Sequence, residues 1–433
     1  MIQRRKALIT SAFLLMLAAA FIDNLRGSLI PLLHDHLELD FALVGGMLLT
    51  VAGISGGLFN SQLLTIERRA GVRGLIYFSV GLTVIMVILA TQVRGPLSLG
   101  MMAIFLGGAI TSMGTIANLL LLMANEGKEQ EPSPTASDHK NNLSETQANS
   151  LDVRSARRAK MMAGLHLMYG LGSLVAPAVA TLAVGRAWPW PLIFILPLAM
   201  LVAPLFLTLQ MDTRHSGTAP GLQPSGLPPE QSGTGNGPSH WHNVSGAEWF
   251  VVAIFLAYVT GEVLTSMWMP AFLIAHFGLS YEDANQKAAG FFMVFSLARL
   301  GVLIFMRERF HKPLIYVPLF IAAASMLAAN LISLPGQADS ALILLFPAAG
   351  MIGPFFPMML ARVCTIYSKS WQRLTVIILT TMQVALALSH LILGAVFDHL
   401  GAQRAYLIPP LLLMLAGVGA WGFLRKDPSL RSG

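Results

Sequence analysis

Two apolar segments, one in each half of the chain, contain an acidic residue followed eight residues later by a proline. The first acid is Asp23, before Pro31, and the second is Glu262, before Pro270. A carboxylate at bilayer depth costs several kcal/mol and persists mainly where a polar pathway or a proton relay uses it. Because desolvation disfavours the charged form, such an acid can take up and release a proton near neutral pH. The matched positions indicate a duplicated membrane protein.

The first acid has a basic neighbour. Arg26 lies three residues after Asp23 and therefore on nearly the same face of a helix. One interpretation is a carboxylate–guanidinium pair that couples to protons, opening and closing as a proton or a solute arrives. The alternative is a static ion pair that fixes the first helix. Glu262 is the second candidate for proton coupling.

The second acid lies on a polar helical face. Glu262 shares this predicted face with Tyr258, Thr265 and Met269, and Trp268 is nearby. A carboxylate, a phenol and a hydroxyl suit a hydroxylated solute, whose hydroxyls need partners in a dry site and whose ring faces pack on tryptophan. We therefore predict substrate binding by Tyr258, Glu262 and Trp268. The alternatives are that Glu262 packs helices and that Trp268 faces lipid or the membrane interface.

Other polar residues interrupt the apolar runs. His166 and Gln383 occupy matching positions in the two halves, each eleven residues before a proline or glycine that precedes Ala-Val. We predict that both, together with Asn118, line the substrate path. Asn330 and His390 are further candidates. A backbone carbonyl can equally satisfy a polar side chain inside a membrane, so a local hydrogen bond is the alternative for each.

The composition indicates a polytopic membrane protein. Of the 433 residues, 55% are hydrophobic and 11% are charged, with a mean hydropathy of +0.66. Soluble domains have about 25% charged residues. The single cysteine excludes an intramolecular disulfide and a thiolate metal cluster.

Twelve apolar runs are long enough to cross about 30 Å of hydrocarbon, at roughly 20 residues each. They lie at 7–30, 41–65, 74–93, 98–124, 161–184, 189–210, 247–274, 287–306, 313–334, 340–366, 372–397 and 404–424. The predicted fold is all-α, with twelve transmembrane helices in two pseudo-symmetric six-helix bundles.

Two polar stretches, 126–160 and 212–245, are too poor in apolar residues to offset the entropy of ordering, so we predict that both are flexible. The second separates an N-terminal bundle at 1–211 from a C-terminal bundle at 246–433.

The distribution of basic residues predicts the orientation. Loops on the side of the two termini hold most of the lysines and arginines, whereas the opposite side has only Arg94, Arg186, Lys287 and Arg404. The positive-inside rule then places both termini in the cytoplasm. The orientation in the membrane therefore accounts for the net charge of +7, which does not indicate a nucleic-acid partner.

The two halves also repeat an acid–base turn. It follows the second span in one half and the eighth span in the other, and each turn precedes Leu-Ile-Tyr. We predict that these turns, and an arginine within the eighth span, act as gates; they comprise Glu67, Arg68, Arg69, Arg307, Glu308, Arg309 and Arg299. For Arg299, pairing with Glu262 and snorkelling to the interface are the alternatives.

These turns resemble the cytoplasmic signature of the major facilitator superfamily. Within it, Tyr258-Val-Thr-Gly-Glu262 resembles the seventh-helix motif of the fucose-galactose-glucose:proton symporters, and Ala298-Arg299 and Phe355-Phe-Pro357 resemble their Gly-Arg and Phe-Pro. The chain departs from that family at Gly114, where an acid is expected before Asn118. The resemblance implies the major facilitator fold, with alternating access around a midplane site.

The predicted function is secondary active uptake of a small polar, sugar-like solute by proton symport, in an inner membrane of the bacterial type, by a monomer without a cofactor. A proton-coupled exporter is the alternative, since Gly172-Ser-Leu-Val-Ala-Pro177 partly resembles the Gly-x-x-x-Gly-Pro element of drug:proton antiporters.

Other functions fit less well. A membrane enzyme would need acids or histidines clustered near one interface, whereas here they are scattered. No phosphate-binding loop for ATP appears. Two short histidine pairs, His34-Asp-His36 and His240-Trp-His242, are weak evidence for a metal, so no metal site is predicted.

Overall fold

The computed structural model describes residues 2–129, 143–209, 244–305, 313–332, 338–367 and 371–425. All regular structure in these ranges is helical. The first half contains α1 (Ile2–Leu37), α2 (Phe41–Gly45), a π-helical turn (Gly46–Val51), α3 (Ala52–Ala90), α4 (Pro96–Glu129), α5 (Leu143–Gly185), a 3-10 helix (Trp190–Phe194), α6 (Ile195–Met200) and α7 (Val202–Leu209).

The second half contains α8 (Gly246–Phe277), α9 (Tyr281–Phe305), α10 (Pro313–Ile332), α11 (Ala338–Ile352), α12 (Phe355–Ile366), α13 (Trp371–Leu400), α14 (Ala402–Ala405) and α15 (Ile408–Arg425). Every predicted span is therefore mainly helical where it is described, with short turns inside some spans, for example at 353–354. Eleven helical stretches of the described chain are long and apolar enough to cross a membrane. The remaining predicted span, the eighth, is formed by α9.

A single long helix contributes to both the second and the third span. α3 continues from the second span into the third, and Gly71 interrupts it with φ 64° and ψ −164°. Glycine adopts a positive φ without the clash that a Cβ introduces. The chain can thus turn between two spans within the acid–base segment that follows Glu67.

α8, which carries the second acid, has well-defined ends. At its start the Ser245 hydroxyl accepts a hydrogen bond from the Glu248 amide at 3.3 Å, and the Glu248 carboxylate accepts one from the Ser245 amide at 2.8 Å. This capping box satisfies amides that have no partner within the helix. Gly278, with φ 70°, ends the helix in the left-handed conformation that favours glycine.

Within the stretch 126–160, α4 continues to Glu129 and α5 begins at Leu143, and the predicted flexibility of this stretch stays a prediction. Residues 143–160 contain several alanines, arginines and other good helix formers, which lets the fifth helix extend beyond the apolar run. Nearly all of the second stretch, 212–245, lies outside the described residues.

The two halves pack together through a few pairs of helices. α1 contacts α8, α5 contacts α9, and α13 contacts α2 and the π-helical turn. Several of these contacts lie on the side of the membrane opposite the two termini, here called the distal side. There the Tyr281 hydroxyl donates to the Ser28 carbonyl at 3.0 Å, and the Ala42 amide donates to the Asp398 carboxylate at 2.7 Å.

Candidate functional site

The first predicted acid is paired within its own helix. On α1 the Arg26 guanidinium donates to the Asp23 carboxylate, and its Nε donates to the Asp23 carbonyl at 3.0 Å. Arg26 also reaches the Leu48 carbonyl of the π-helical turn at 3.4 Å. The side chains of Asp23 and Arg26 are 16% and 12% exposed. This charge pair thus lies largely inside the first bundle.

A residue that the sequence analysis missed completes this site. The Tyr169 hydroxyl on α5 donates to the other oxygen of the Asp23 carboxylate. Beside it, the Asn24 amide donates to the Ser173 hydroxyl at 2.7 Å. Tyr169 lies three residues after His166, which is predicted to line the substrate path. The two residues therefore share a helical face, and this spacing is the sequence signal that could have identified Tyr169.

The second acid is paired between helices. Glu262 on α8 accepts a hydrogen bond from Arg299 on α9 at 3.1 Å, and Arg299 also donates to the Gly353 carbonyl at 3.1 Å. The Arg299 guanidinium lies 4.1 Å from the centroid of the Phe295 ring. Because the Arg299 side chain is only 7% exposed, the snorkelling interpretation is wrong, and its partner is Glu262.

A cavity lies between the two halves next to Glu262. It is small and partly open, with about 20 Å³ of space available to the centre of a water molecule. Two polar residues of the first half, Asn24 and Tyr169, form one side. The rest of the lining comes from α8 and α9 and consists of Glu262, Val263, Ser266, Met267, Phe291, Phe292 and Phe295. A carboxylate, a phenol, an amide and a hydroxyl thus share a small chamber with three aromatic rings.

The predicted polar face of α8 differs from the face that lines this cavity. Tyr258 is fully buried and donates to the Ile352 carbonyl at 3.0 Å. Thr265 donates to the Gly261 carbonyl at 2.7 Å, and its own carbonyl accepts from Tyr406. Because α8 is buried on nearly all sides, its sequence periodicity does not reveal which side faces the cavity.

Trp268 lies away from lipid and outside the cavity lining. It is fully buried, so the lipid-facing alternative is wrong. Its indole N–H donates to His390 Nδ1 at 3.1 Å. The ring lies against two glycines, since a Cβ on Gly45 would be 2.8 Å from the indole and one on Gly394 would be 3.1 Å from it. Trp268 therefore joins α8, α13 and the second span on the distal side.

The other predicted substrate liners are also absent from the cavity lining. The His166 ring packs edge-on against Phe356, with ring centroids 5.6 Å apart. Asn118 donates to the Gly114 carbonyl of its own helix at 2.8 Å, which is the local bond weighed as the alternative. Gln383 is half-buried on α13, and its backbone carbonyl oxygen lies 3.7 Å from the Cβ position of Gly53 in the second span.

Two further candidates connect helices. The Asn330 amide donates to the Gln403 carbonyl at 3.0 Å, and the Gln403 amide donates back to the Asn330 carbonyl at 3.0 Å. His390 accepts the bond from Trp268. Asn330 is thus satisfied by a backbone carbonyl, as in the alternative stated for it, whereas the partner of His390 is a side chain of another helix.

The predicted gate turns are only partly described. Glu67 is half-buried and Arg69 is exposed. The Arg68 side chain and three other gate candidates lie outside the described residues; these are Arg307, Glu308 and Arg309. Among the described residues, no group of three or more histidine, cysteine or acidic side chains is placed to hold a metal ion.

Comparisons with known proteins relate part of the sequence to a family and the fold to a solved structure. The family model described as Major Facilitator Superfamily matches residues 148–361. Among solved structures, the fold is similar to the crystal structure of a D-xylose-proton symporter, with a TM-score of 0.67 and 14% sequence identity over 98% of this chain and 97% of the other. No curated protein matches the sequence.

The nearly all-helical fold, with eleven to twelve apolar helices that can cross a membrane, is the major facilitator fold, as predicted. With the family-model match over residues 148–361, it indicates a multi-pass membrane transporter and not an enzyme.

Proposed function

We propose that this protein imports a small polar, hydroxylated solute together with protons, by alternating access around the cavity between its halves. One observation carries the proposal. Tyr169 and Glu262 line the same cavity, and Tyr169 also bonds to Asp23, so both intramembrane acids adjoin one chamber.

Both acids suit a role in proton coupling. Asp23 and Glu262 are each 16% exposed, and each is paired with an arginine. A mostly desolvated carboxylate with a basic partner can exist in two states, either ionised and paired or protonated and released. These states differ in their contacts, which is what a coupled conformational change requires.

The chemistry of the cavity favours a hydroxylated solute. Glu262, Asn24 and Ser266 supply acceptors and donors for hydroxyl groups, which need partners once they leave water. Phe291 and Phe292 offer apolar ring faces for the less polar side of a sugar ring. The fold likeness to a D-xylose-proton symporter agrees with this substrate class.

A proton-coupled exporter remains the second candidate. In the segment that resembles the antiporter element, Gly172 allows α5 to approach α1 closely, since a Cβ there would be 2.5 Å from the Leu17 carbonyl oxygen. The export alternative rests on this resemblance, in which Gly172 and Pro177 are matching residues.

The setting of the transporter is also proposed. We place both termini in the cytoplasm, because the basic residues accumulate on that side. The protein would act as a monomer in the cytoplasmic membrane, with bundles at 1–211 and 246–433 that rock against each other. Protons and the solute are its only proposed small partners, and no cofactor or nucleic acid is needed.

Transport by purified protein in liposomes tests the proposal. The probes are radiolabelled D-xylose, D-glucose, D-galactose and L-fucose, with an imposed proton gradient that is acidic outside. Accumulation that a protonophore abolishes supports symport. Replacement Asp23→Asn should abolish accumulation and leave solute exchange, whereas Asp35→Asn, at an exposed position, should change neither.

Two results would contradict the proposal. Extrusion driven by the same gradient would favour the exporter. Failure of wild-type protein to bind or move any of the four sugars would exclude the proposed substrate class.

A further inference from the structure

Tyr169 occupies a position between the first acid and the cavity. Its hydroxyl donates to the Asp23 carboxylate, and the same side chain lines the cavity together with Glu262. The fifth helix is held beside α1 by a second polar contact, Asn24 to Ser173 at 2.7 Å. A change in the hydrogen-bond acceptor of the phenol would therefore directly change the hydrogen bonding of Asp23.

The phenol has only one proton to donate. While that proton is bonded to Asp23, it cannot be donated to a solute in the cavity. A solute oxygen that accepts it leaves Asp23 with Arg26 as its remaining side-chain donor. Loss of a donor disfavours the charged carboxylate, so Asp23 then binds a proton more readily.

We infer that Tyr169 couples occupation of the cavity to protonation of Asp23. This inference rests on the proposed function and names the residue that links its two parts. On solute entry, the Tyr169 hydroxyl turns from the Asp23 carboxylate to the solute oxygen, and Asp23 takes a proton from water that reaches the cavity. On solute release the hydroxyl returns, and Asp23 gives its proton back to water. Tyr169 keeps its own proton throughout, so charge and atoms balance.

The second acid also has a phenol beside it, but that phenol is placed differently. Tyr258 interacts with Glu262, yet it donates its proton to the Ile352 carbonyl at 3.0 Å and does not line the cavity. A solute in the cavity would therefore meet the Glu262 carboxylate and not the Tyr258 hydroxyl. This difference assigns the solute-sensitive proton to Asp23.

Other charged and titratable groups surround the Asp23 site. Arg26 lies on the same helix, and Glu262 and Arg299 interact electrostatically with Tyr169 from α8 and α9. His390 on α13 interacts electrostatically with Arg26. None of these replaces the Tyr169 hydroxyl as a donor to Asp23 in the described structure, where Arg26 is the other donor.

The contact can be tested without a ligand. Infrared difference spectra between acidic and alkaline buffer should contain a carboxylic acid band of Asp23, identified by its loss in Asp23→Asn. Replacement Tyr169→Phe should move this band to higher wavenumber, because the carbonyl loses a hydrogen bond. Tyr406→Phe is the matched control, since it removes a buried phenol that donates to the Thr265 carbonyl at 2.8 Å, outside the cavity lining. An unmoved band in Tyr169→Phe, or no Asp23 band in wild-type protein, would overturn the inference.

Transport then tests the coupling itself. For a sugar that wild-type protein accumulates, Tyr169→Phe should still exchange the sugar across the membrane. Its proton-driven accumulation should fall roughly tenfold, which corresponds to a typical coupling free energy. Tyr406→Phe should behave as wild type. Accumulation equal to wild type, or loss of exchange together with accumulation, would contradict a coupling role. If wild-type protein accumulates no sugar, the proposed function fails, while the infrared band still decides whether Tyr169 controls Asp23.

Discussion

Asp23 and Glu262 are each 16% exposed and each paired with an arginine, but the two pairs join different parts of the protein. Asp23 is paired within α1, three residues from Arg26. Glu262 on α8 is paired with Arg299 on α9. Arg299 also donates a hydrogen bond to the carbonyl of Gly353, which follows α11. The second pair therefore has the larger structural role.

This difference predicts unequal losses of stability. Arg299→Gln leaves Glu262 without its cationic partner and breaks the contact with Gly353, so we expect a loss of about 3–5 kcal/mol, the usual effect of breaking a buried pair. Arg26→Gln should cost less, because its contacts lie mostly within one helix. Thermal unfolding in detergent measures both variants. In the double variant Glu262→Gln with Arg299→Gln, part of the stability should return. An equal loss in the two single variants would contradict the argument.

A second prediction concerns the contact between α3 and α4. A Cβ on Gly107 would lie 1.8 Å from the Ala52 carbonyl oxygen, so Gly107→Ala must push the two helices apart. We expect a loss of about 1–3 kcal/mol from this overpacking. Gly114→Ala on the same helix is the control, because no heavy atom lies within 4 Å of its Cβ position. Unfolding temperatures that fall equally in both variants would contradict the packing argument, because alanine is the better helix former and the Cβ position of Gly114 is free.

The sequence predicted the spans well because each one is a long apolar run, and hydrophobic length alone determines where a chain can cross a bilayer. The apolar runs did not indicate the helix at 143–160, where α5 begins as a polar helix ahead of its apolar run. There, helix propensity and not hydropathy decides the structure.

The site was predicted only in part, for a physical reason. Asp23, Glu262 and Arg299 stand out because a charge in an apolar run is costly and needs a partner. Tyr169 does not stand out, because a tyrosine in a membrane helix costs little until its position relative to Asp23 is known. The bond between Trp268 and His390 joins residues 122 positions apart, and local periodicity carries no information on such a contact.

A third prediction concerns a bond between the halves on the distal side. The Asp398 carboxylate on α13 accepts the Ala42 amide at the start of α2, at 2.7 Å. An anion there satisfies a free amide and the positive end of the helix. Asp398→Ala should therefore weaken closure of the distal side by about 1 kcal/mol, the usual value of such a cap.

The distance between spin labels at Gln92→Cys and Leu400→Cys measures this closure, since both positions are exposed near the distal ends of their halves. The native cysteine, Cys364, is replaced by serine. We expect a larger population of long distances in Asp398→Ala. Asp35→Asn, an exposed acid of the first half, is the control. A distance distribution identical to that of the parent would show that Asp398 does not stabilise the closed state.

A final prediction concerns the space around Trp268, which holds the same side closed. The indole is fixed on one edge by His390 and lies against Gly45 of the other half, where a Cβ would be 2.8 Å from the ring. Gly45→Ala should therefore separate the second span from α8 and favour the state that is open on the distal side. Gly57→Ala should not, since nothing lies within 4 Å of its Cβ position.

The same pair of spin labels reports this change, and a double variant identifies its cause. If the indole is the obstacle, the smaller ring of Trp268→Phe should restore the closed distances in the Gly45→Ala background. Trp268→Phe also leaves a His390 nitrogen without its hydrogen-bond partner, and an unpaired buried polar group costs about 1–3 kcal/mol of folding stability. That penalty should lower the unfolding temperature without reopening the distal side, because it falls within the second half. Distances that stay long in the double variant would show that Gly45 acts through another neighbour.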